Sequence, residues 1–351
     1  MFDGFFSGKR VYLTGHTGFK GAWLALWLKR LGAQVGAFSL DPPSEVSLWD
    51  IAHVEQDVIR LGGDIRDRDQ VVAAMGDFDP DVVIHMAAQS LVRPSYEEPV
   101  DTLMTNVMGT AHVLDAVRYS DRVKAVINVT SDKCYDNREW VWGYRESDPM
   151  GGHDPYSASK GCAELVTASF VKSYFSESDV AVASVRAGNV IGGGDFALDR
   201  LIPDMVRAFS AGEKVHIRSP HATRPWQHVL EPLSGYLALA QVLFVSGQSY
   251  VGAWNFGPAD ESARTVGEVV ECFAKIWGDG AQHLLDDGSN PHEANWLKLD
   301  CSKANRVLGW QPRTGFSTAL EMTADWYKRW TAGADMRSAT IEQIALFEAM
   351  G

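Results

Sequence analysis

Apolar positions along the first half of the chain follow two alternating rhythms. Short apolar runs occupy residues 9–14, 34–40, 57–61, 81–86, 124–129 and 180–186. Their length and their content of β-branched residues predict buried strands. Between them, apolar residues fall at helical spacing over 20–31, in a more polar stretch reaching about Asp77, over 96–119 and over 155–175. Such repeated units predict an α/β fold of Rossmann type, a doubly wound parallel sheet with helices on both faces. The alternation stops at Gly192-Gly193-Gly194-Asp195, and residues 196–330 read as mixed helices and short strands that revisit the sheet at most briefly, near 252–256. The expected division is a dinucleotide-binding domain over 1–190, with sheet returns from the C-terminal part, and a smaller, interleaved substrate-binding lobe over 191–351.

Composition narrows the function. The chain has 351 residues, 46% hydrophobic and 22% charged, enough for a sizeable core. A net charge of -13 and a pI near 5.2 argue against a nucleic-acid or anionic-membrane partner. A small anionic ligand stays open through a local arginine cluster. Cys134, Cys162, Cys272 and Cys301 form no C-x-x-C pair and no metal-ligand spacing, so free thiols in a reducing compartment and no metal are expected. Residues 1–6 carry an acid where a signal peptide carries bases, and no apolar run approaches about 18 residues. The expectation is a cytoplasmic protein without a membrane partner.

Gly15-His16-Thr17-Gly18-Phe19-Lys20-Gly21 joins the first strand to the first helix. Glycines there permit a tight turn, close approach of backbone N–H groups to a pyrophosphate, and close helix packing; a turn that needs glycine for its own sake is the plainer reading. Asp41 ends the second strand some twenty residues on, where a carboxylate binds the ribose hydroxyls of NAD and repels the extra phosphate of NADP. No arginine lies within residues 36–47 to favour that phosphate. Asp64 and Ile65 are candidates for adenine, and Ala87, Ala88 and Gln89 for the cofactor's backbone; each is equally an ordinary loop residue. Asn106, Thr130, Tyr156 and Lys160 complete the candidate cofactor set.

Thr130-Ser131-Asp132-Lys133 follows the fifth strand, and Tyr156 and Lys160 follow one loop later. Tyr156 and Lys160 are i and i+4 and share a helix face. A lysine there is expected to lower the phenol's pKa, so that the phenolate takes a proton from an alcohol while hydride leaves the carbon. Asn189, Arg200, Arg218, Arg224, Trp226 and His228 form a candidate set for a diphosphate and a base, though any one arginine also suits a surface ion pair.

With its glycine turn, S-D-K, Y-x-x-x-K and R-x-x-N-V-x-G elements in this order, the chain resembles the extended short-chain dehydrogenase/reductase superfamily, from residue 9 to about 330. Within it, 130–138, 154–166 and 224–229 are similar to the nucleotide-sugar 4,6-dehydratases, in particular to those acting on CDP-glucose. That resemblance implies a lyase that converts CDP-D-glucose to CDP-4-dehydro-6-deoxy-D-glucose with a held NAD, serving deoxysugar synthesis for surface polysaccharides such as lipopolysaccharide O-antigen. It further implies a homodimer or homotetramer. By the same resemblance Ser131 binds the C4 hydroxyl, Asp132 protonates the departing C6 hydroxyl, and Tyr156 with Lys160 is the oxidation base. Lys133 stands where most 4,6-dehydratases carry the glutamate that removes the C5 proton, so a lysine made neutral by its surroundings is expected. At 291–295 the arginine common in relatives for other nucleotides is missing, which shifts diphosphate binding to Arg200 or Arg224. A 4-epimerase, an NADP-dependent reductase and a non-enzymatic NAD sensor are the alternatives. An epimerase would have no use for Asp132 beside Lys133.

Overall fold

In a computed structural model the six apolar runs become β1 (Arg10–Thr14), β2 (Gln34–Phe38), β3 (Val58–Arg60), β4 (Val82–His85), β5 (Ala125–Val129) and β6 (Ala181–Ala187). Further on come β7 (Asn189–Ile191), β8 (Lys214–Ile217), β9 (Thr223–His228), β10 (Gly252–Phe256), β11 (Ala263–Thr265) and β12 (Gln282–Leu285). The structure describes residues 1–217, 219–278, 280–285 and 296–350. Arg218 and the 291–295 segment lie outside the described residues.

The main sheet runs β10-β6-β5-β4-β1-β2-β3 and is parallel at each pairing. Both of its faces are covered, which is why β4, β5 and β6 are buried at every position and read as unbroken apolar runs. One face packs against helices Phe19–Arg30 and Leu230–Ser246 through Trp23, Trp27 and Tyr236, and the same core extends through Trp326 to helices Phe316–Thr331 and Met336–Ala349, which pack on the small sheet and on the first helix. The other packs against helices Arg68–Phe78, Gly109–Val117 and Pro155–Phe170 through Tyr12, Phe38, Val113 and Val117. The chain's direction of progress across the sheet reverses between β1 and β4, and an open α/β sheet forms its ligand crevice at such a point.

One predicted element differs in detail. The helix expected over 96–119 begins earlier and is broken, as Val92–Glu97, Pro99–Leu103, a π turn at Met104–Met108, and Gly109–Val117. Pro99 supplies no N–H and so restarts the helix at its own first turn. The return near 252–256 is a five-residue edge strand, β10, paired with β6. Beside the main sheet, β7, β9 and β11 form one small sheet and β8 pairs with β12 in another. The last helix packs back on the first, where the Trp27 indole and the Arg30 guanidinium both donate to Glu348 at 2.9 Å. Among the described residues no helix is long and apolar enough to cross a membrane, and no cluster of His, Cys, Asp or Glu could hold a metal ion.

Candidate active site

A cavity of about 1340 Å³ opens at the C-terminal ends of the central strands. Its wall runs from the glycine turn past the ends of β2, β4, β5 and β6 to β8 and β9. A site for one small ligand spans roughly 300–1,000 Å³, so this cavity has room for two.

The glycine turn makes one end of it. Gly15 sits at φ +77°, and a Cβ there would meet the Ala87 nitrogen at 2.6 Å. At Gly21 a Cβ would collide with the Gly15 carbonyl at 2.1 Å, so this glycine lets the helix sit against the turn. At Gly18 a Cβ would touch only the Gly15 oxygen, at 3.5 Å, and otherwise fill cavity space. Backbone N–H groups are thereby exposed at the start of a twelve-residue helix, a cradle that fits a dinucleotide pyrophosphate. Thr17, Gly18, Phe19, Asp41, Asp64, Ile65, Ala87, Ala88, Gln89 and Thr130 all line the wall.

The other candidates depart from expectation. The His16 ring turns from the cavity onto Trp49, with centroids 4.7 Å apart, and burial pulls its pKa down to about 4. Asn106 lies behind the wall inside the π turn, where its amide donates to the Gln89 carbonyl at 2.9 Å and the Ser159 hydroxyl at 2.8 Å, and its carbonyl accepts from the Gln89 N–H. It therefore holds Gln89 in place. His228, at the end of β9, is buried against Trp23 and does not reach the cavity; burial pulls its pKa to about 3.

Strand β5 delivers the reactive cluster. The Thr130 N–H donates to the Val185 carbonyl at 2.9 Å, the last tie to β6. The chain then turns through a short 3₁₀ segment, Asp132–Cys134, capped by the Ser131 hydroxyl. Ser131 Oγ donates to Asp132 Oδ1 at 3.0 Å and also hydrogen-bonds the Tyr156 phenol oxygen. Burial pushes the Asp132 carboxyl above its ordinary value, opposed by Lys133, Ser131 and Arg224, which is the direction an acid catalyst requires. Lys133 is half-buried on the same wall.

Helix Pro155–Phe170 begins where Asp154 accepts from the Ser157 N–H at 2.9 Å, with Pro155 at its first position. Its first turns aim Tyr156, Lys160 and Glu164 toward β5. Burial pushes Tyr156 up to about 12, while Ser131 and then Arg200 pull it down. The expected pull of Lys160 on the phenol is replaced by these two, because Lys160 Nζ faces the Val129 carbonyl at 3.5 Å. Burial, then Lys20, lowers Lys160 itself to about 8. Behind it, Glu164 accepts from Thr130, Ser184 and Arg186. Burial pushes the Glu164 carboxyl up, but Arg186 and these hydroxyls outweigh it and leave it below its ordinary value. Thr130 and the helix are tied together by this buried pair.

At the opposite end, Asn189 on β7 is in register with Trp226 on β9, and both line the cavity with Arg224 and Arg200. Arg200 pairs with Asp195 at 3.0 Å, and Arg93 with Asp199 at 3.0 Å across the mouth. Lys20, Arg93 and Arg66, which also line the wall, were not picked out by motif. Lys20 stands inside the glycine turn, and burial, then Arg200, lowers it to about 8; a cation between two motif glycines was the available signal. Arg93 and Arg66 carried none, since they reach the cavity only through folding.

Residues 13–323 match the family model described as GDP-mannose 4,6 dehydratase. The chain belongs to this dehydratase family. It is 54% identical to a CDP-glucose 4,6-dehydratase of Salmonella typhimurium, covering 97% of this chain and 96% of the relative. Among solved structures, a dTDP-glucose 4,6-dehydratase of Streptomyces venezuelae with NAD bound superposes at a TM-score of 0.78 and 23% identity, over 93% of this chain and 98% of that one. A UDP-glucose 4-epimerase of Thermotoga maritima gives 0.79 at 20% identity, over 92% and 99%, so the fold alone does not separate dehydratase from epimerase.

Proposed function

We propose that the chain is an NAD-dependent CDP-glucose 4,6-dehydratase, converting CDP-D-glucose to CDP-4-dehydro-6-deoxy-D-glucose and water. The observation that carries this reading is the Ser131-Asp132-Lys133 turn beside Tyr156, with Ser131 and Asp132 buried. Oxidation alone needs only Tyr156 and Lys160, whereas an adjacent acid and base serve elimination. Identity of 54% over nearly the whole length of a relative with that activity supports cytosine as the base. Gly15 to Gly21, Asp41, Asp64, Ile65 and Ala87 to Gln89 would hold NAD, and Asn189, Arg200, Arg224 and Trp226 the nucleotide sugar. Bound there, NAD would supply the hydride acceptor for C4 and, once reduced, the hydride donor for C6. Tyr156 takes the C4 hydroxyl proton while Ser131 orients that hydroxyl. The resulting ketone acidifies C5–H; Lys133 removes that proton, and Asp132 protonates the leaving C6 hydroxyl. The free cysteines suit the cytoplasm. The exposed apolar residues Val100, Leu103 and Met104 near Leu165 and Tyr174 on the neighbouring helices support a homodimer joined through these helices.

Asp132→Asn and Lys133→Ala should each slow single-turnover water loss by about 10²–10⁴-fold while C4 oxidation, read as absorbance of the reduced cofactor, persists. Elimination at the parental rate in both variants would refute the assignment.

A further inference from the structure

Neither Glu164 nor Arg186 lines the cavity, but together they reach both ends of the turn that carries its reactive groups. Both are buried, at 6% and 3% exposure. Glu164, one helical turn beyond Lys160, takes Arg186 of β6 in a two-pronged pair, Nε to Oε1 and Nη2 to Oε2 at 2.9 Å each, a geometry that fixes the plane of both groups. At the near end of the turn, Thr130 Oγ1 donates to the same Oε1. Past the far end, Arg186 Nη1 donates to the Tyr135 hydroxyl at 2.6 Å, and that hydroxyl donates to Asn255 Oδ1 of β10 at 2.8 Å. Asn255 gives its own amide to the Tyr144 and Asp300 carbonyls, and the Tyr144 ring stacks on Tyr135 with centroids 5.0 Å apart. Ser184 Oγ donates to Glu164 Oε2 at 2.6 Å but lies in register with Asn128 inside β5, before the turn begins.

We infer that Glu164 and Arg186 form a positioning pair for water elimination, holding the Ser131-Asp132-Lys133 turn at both ends and so setting where its acid and base stand against the sugar. The near end has a second tie, the Thr130 N–H on the Val185 carbonyl. The far end has a backbone bridge from Tyr135 to Met150 of the following loop, and its side-chain tie to the main sheet is the Tyr135 hydroxyl. Loss of that hydroxyl therefore frees Asp132 and Lys133 more than Ser131. The redox pair has other supports, since Lys160 faces the Val129 carbonyl and Tyr156 hydrogen-bonds Ser131. A displacement of about 1 Å in a reacting group costs on the order of a hundredfold in rate, and a buried network whose polar groups are satisfied resists such displacement. The inference rests on the dehydratase reading above.

Removing either charged partner strands the other's charge in the interior, so the test cuts single hydroxyls instead. In single turnover with CDP-glucose, absorbance of the reduced cofactor rises with C4 oxidation and falls once water is lost and hydride returns. Tyr135→Phe should slow the fall by about 10–100-fold and the rise far less. Ser184→Ala, which takes a hydroxyl from the same carboxylate, should leave the ratio of the two rates parental. Amide hydrogen exchange of the purified proteins without substrate gives a readout independent of activity: residues 131–136 should exchange at least about tenfold faster in Tyr135→Phe, with helix Pro155–Phe170 parental. Both rates slowed alike, the same change of ratio in Ser184→Ala, or parental exchange in the turn would overturn the inference. A parent that forms no 4-keto sugar while the exchange pattern holds would instead refute the dehydratase reading and leave the pair a support of the fold alone.

Discussion

Lys160 illustrates how a residue proposed to act in oxidation opposes stability. Its ammonium is buried 3.5 Å from a carbonyl, and burial with the nearby Lys20 charge brings its pKa from 10.5 to about 8. Below pH about 8 the group is charged in both folded and unfolded chains, and the folded chain bears the whole desolvation cost. Between about 8 and 10.5 the folded chain releases the proton first, so the unfolded state holds more protons and stability rises with pH. Lys160→Met should therefore raise the stability of the cofactor-free protein at neutral pH by about 1–3 kcal/mol, read as a higher melting temperature, while abolishing C4 oxidation. An unchanged or lower melting temperature at pH 7 would show that Glu164 compensates the lysine in full. At this scale the sequence was informative about identities and silent about environment. Y-x-x-x-K marked Tyr156 and Lys160, but the pull on the phenol from Ser131 and Arg200 depends on contacts that no spacing encodes.

Elements were legible where periodicity was long and failed where backbone chemistry intervened. The six strands of the main sheet were visible because both of its faces are covered and each strand is apolar throughout. The helix expected over 96–119 was not visible as four pieces, since Pro99 and the π turn around Asn106 act on hydrogen bonds rather than on the apolar pattern. That turn buries Asn106 against Gln89, so a residue expected to touch the cofactor instead holds one that lines the cavity. The same segment leaves Val100 71% exposed, and Leu165 on helix Pro155–Phe170 is 61% exposed. Apolar side chains so placed on adjoining helices predict a two-fold helix-to-helix interface. Val100→Lys with Leu165→Lys should weaken the dimer by at least about a hundredfold, from roughly 1.5–3 kcal/mol for each aliphatic group buried. Sedimentation velocity checks this, and an unchanged sedimentation coefficient in the variant would place the interface elsewhere.

On the scale of the whole molecule, the chain brings two ends together around one cavity. The glycine turn and β2 form its dinucleotide end, β7 to β9 form the other, and the Ser131 to Lys133 turn with helix Pro155–Phe170 lies between them. The sequence showed the first half of this plan through its alternation, but gave little of the second, whose short strands and helices have no repeated period. Arg93, Arg200 and Arg60 reach the cavity edge from separate segments, so only folding reveals them as neighbours of the site. The proposed function, with Tyr156, Asp132 and Lys133 lining the middle of a cavity sized for two ligands, requires that hydride leaving C4 stays within the site until it arrives at C6. The decisive measurement is NMR of the product formed from CDP-glucose carrying deuterium at C4. The account predicts a 4-keto-6-deoxy sugar with the deuterium at C6; deuterium retained at C4 of an epimer, or lost to the cofactor pool, would contradict it.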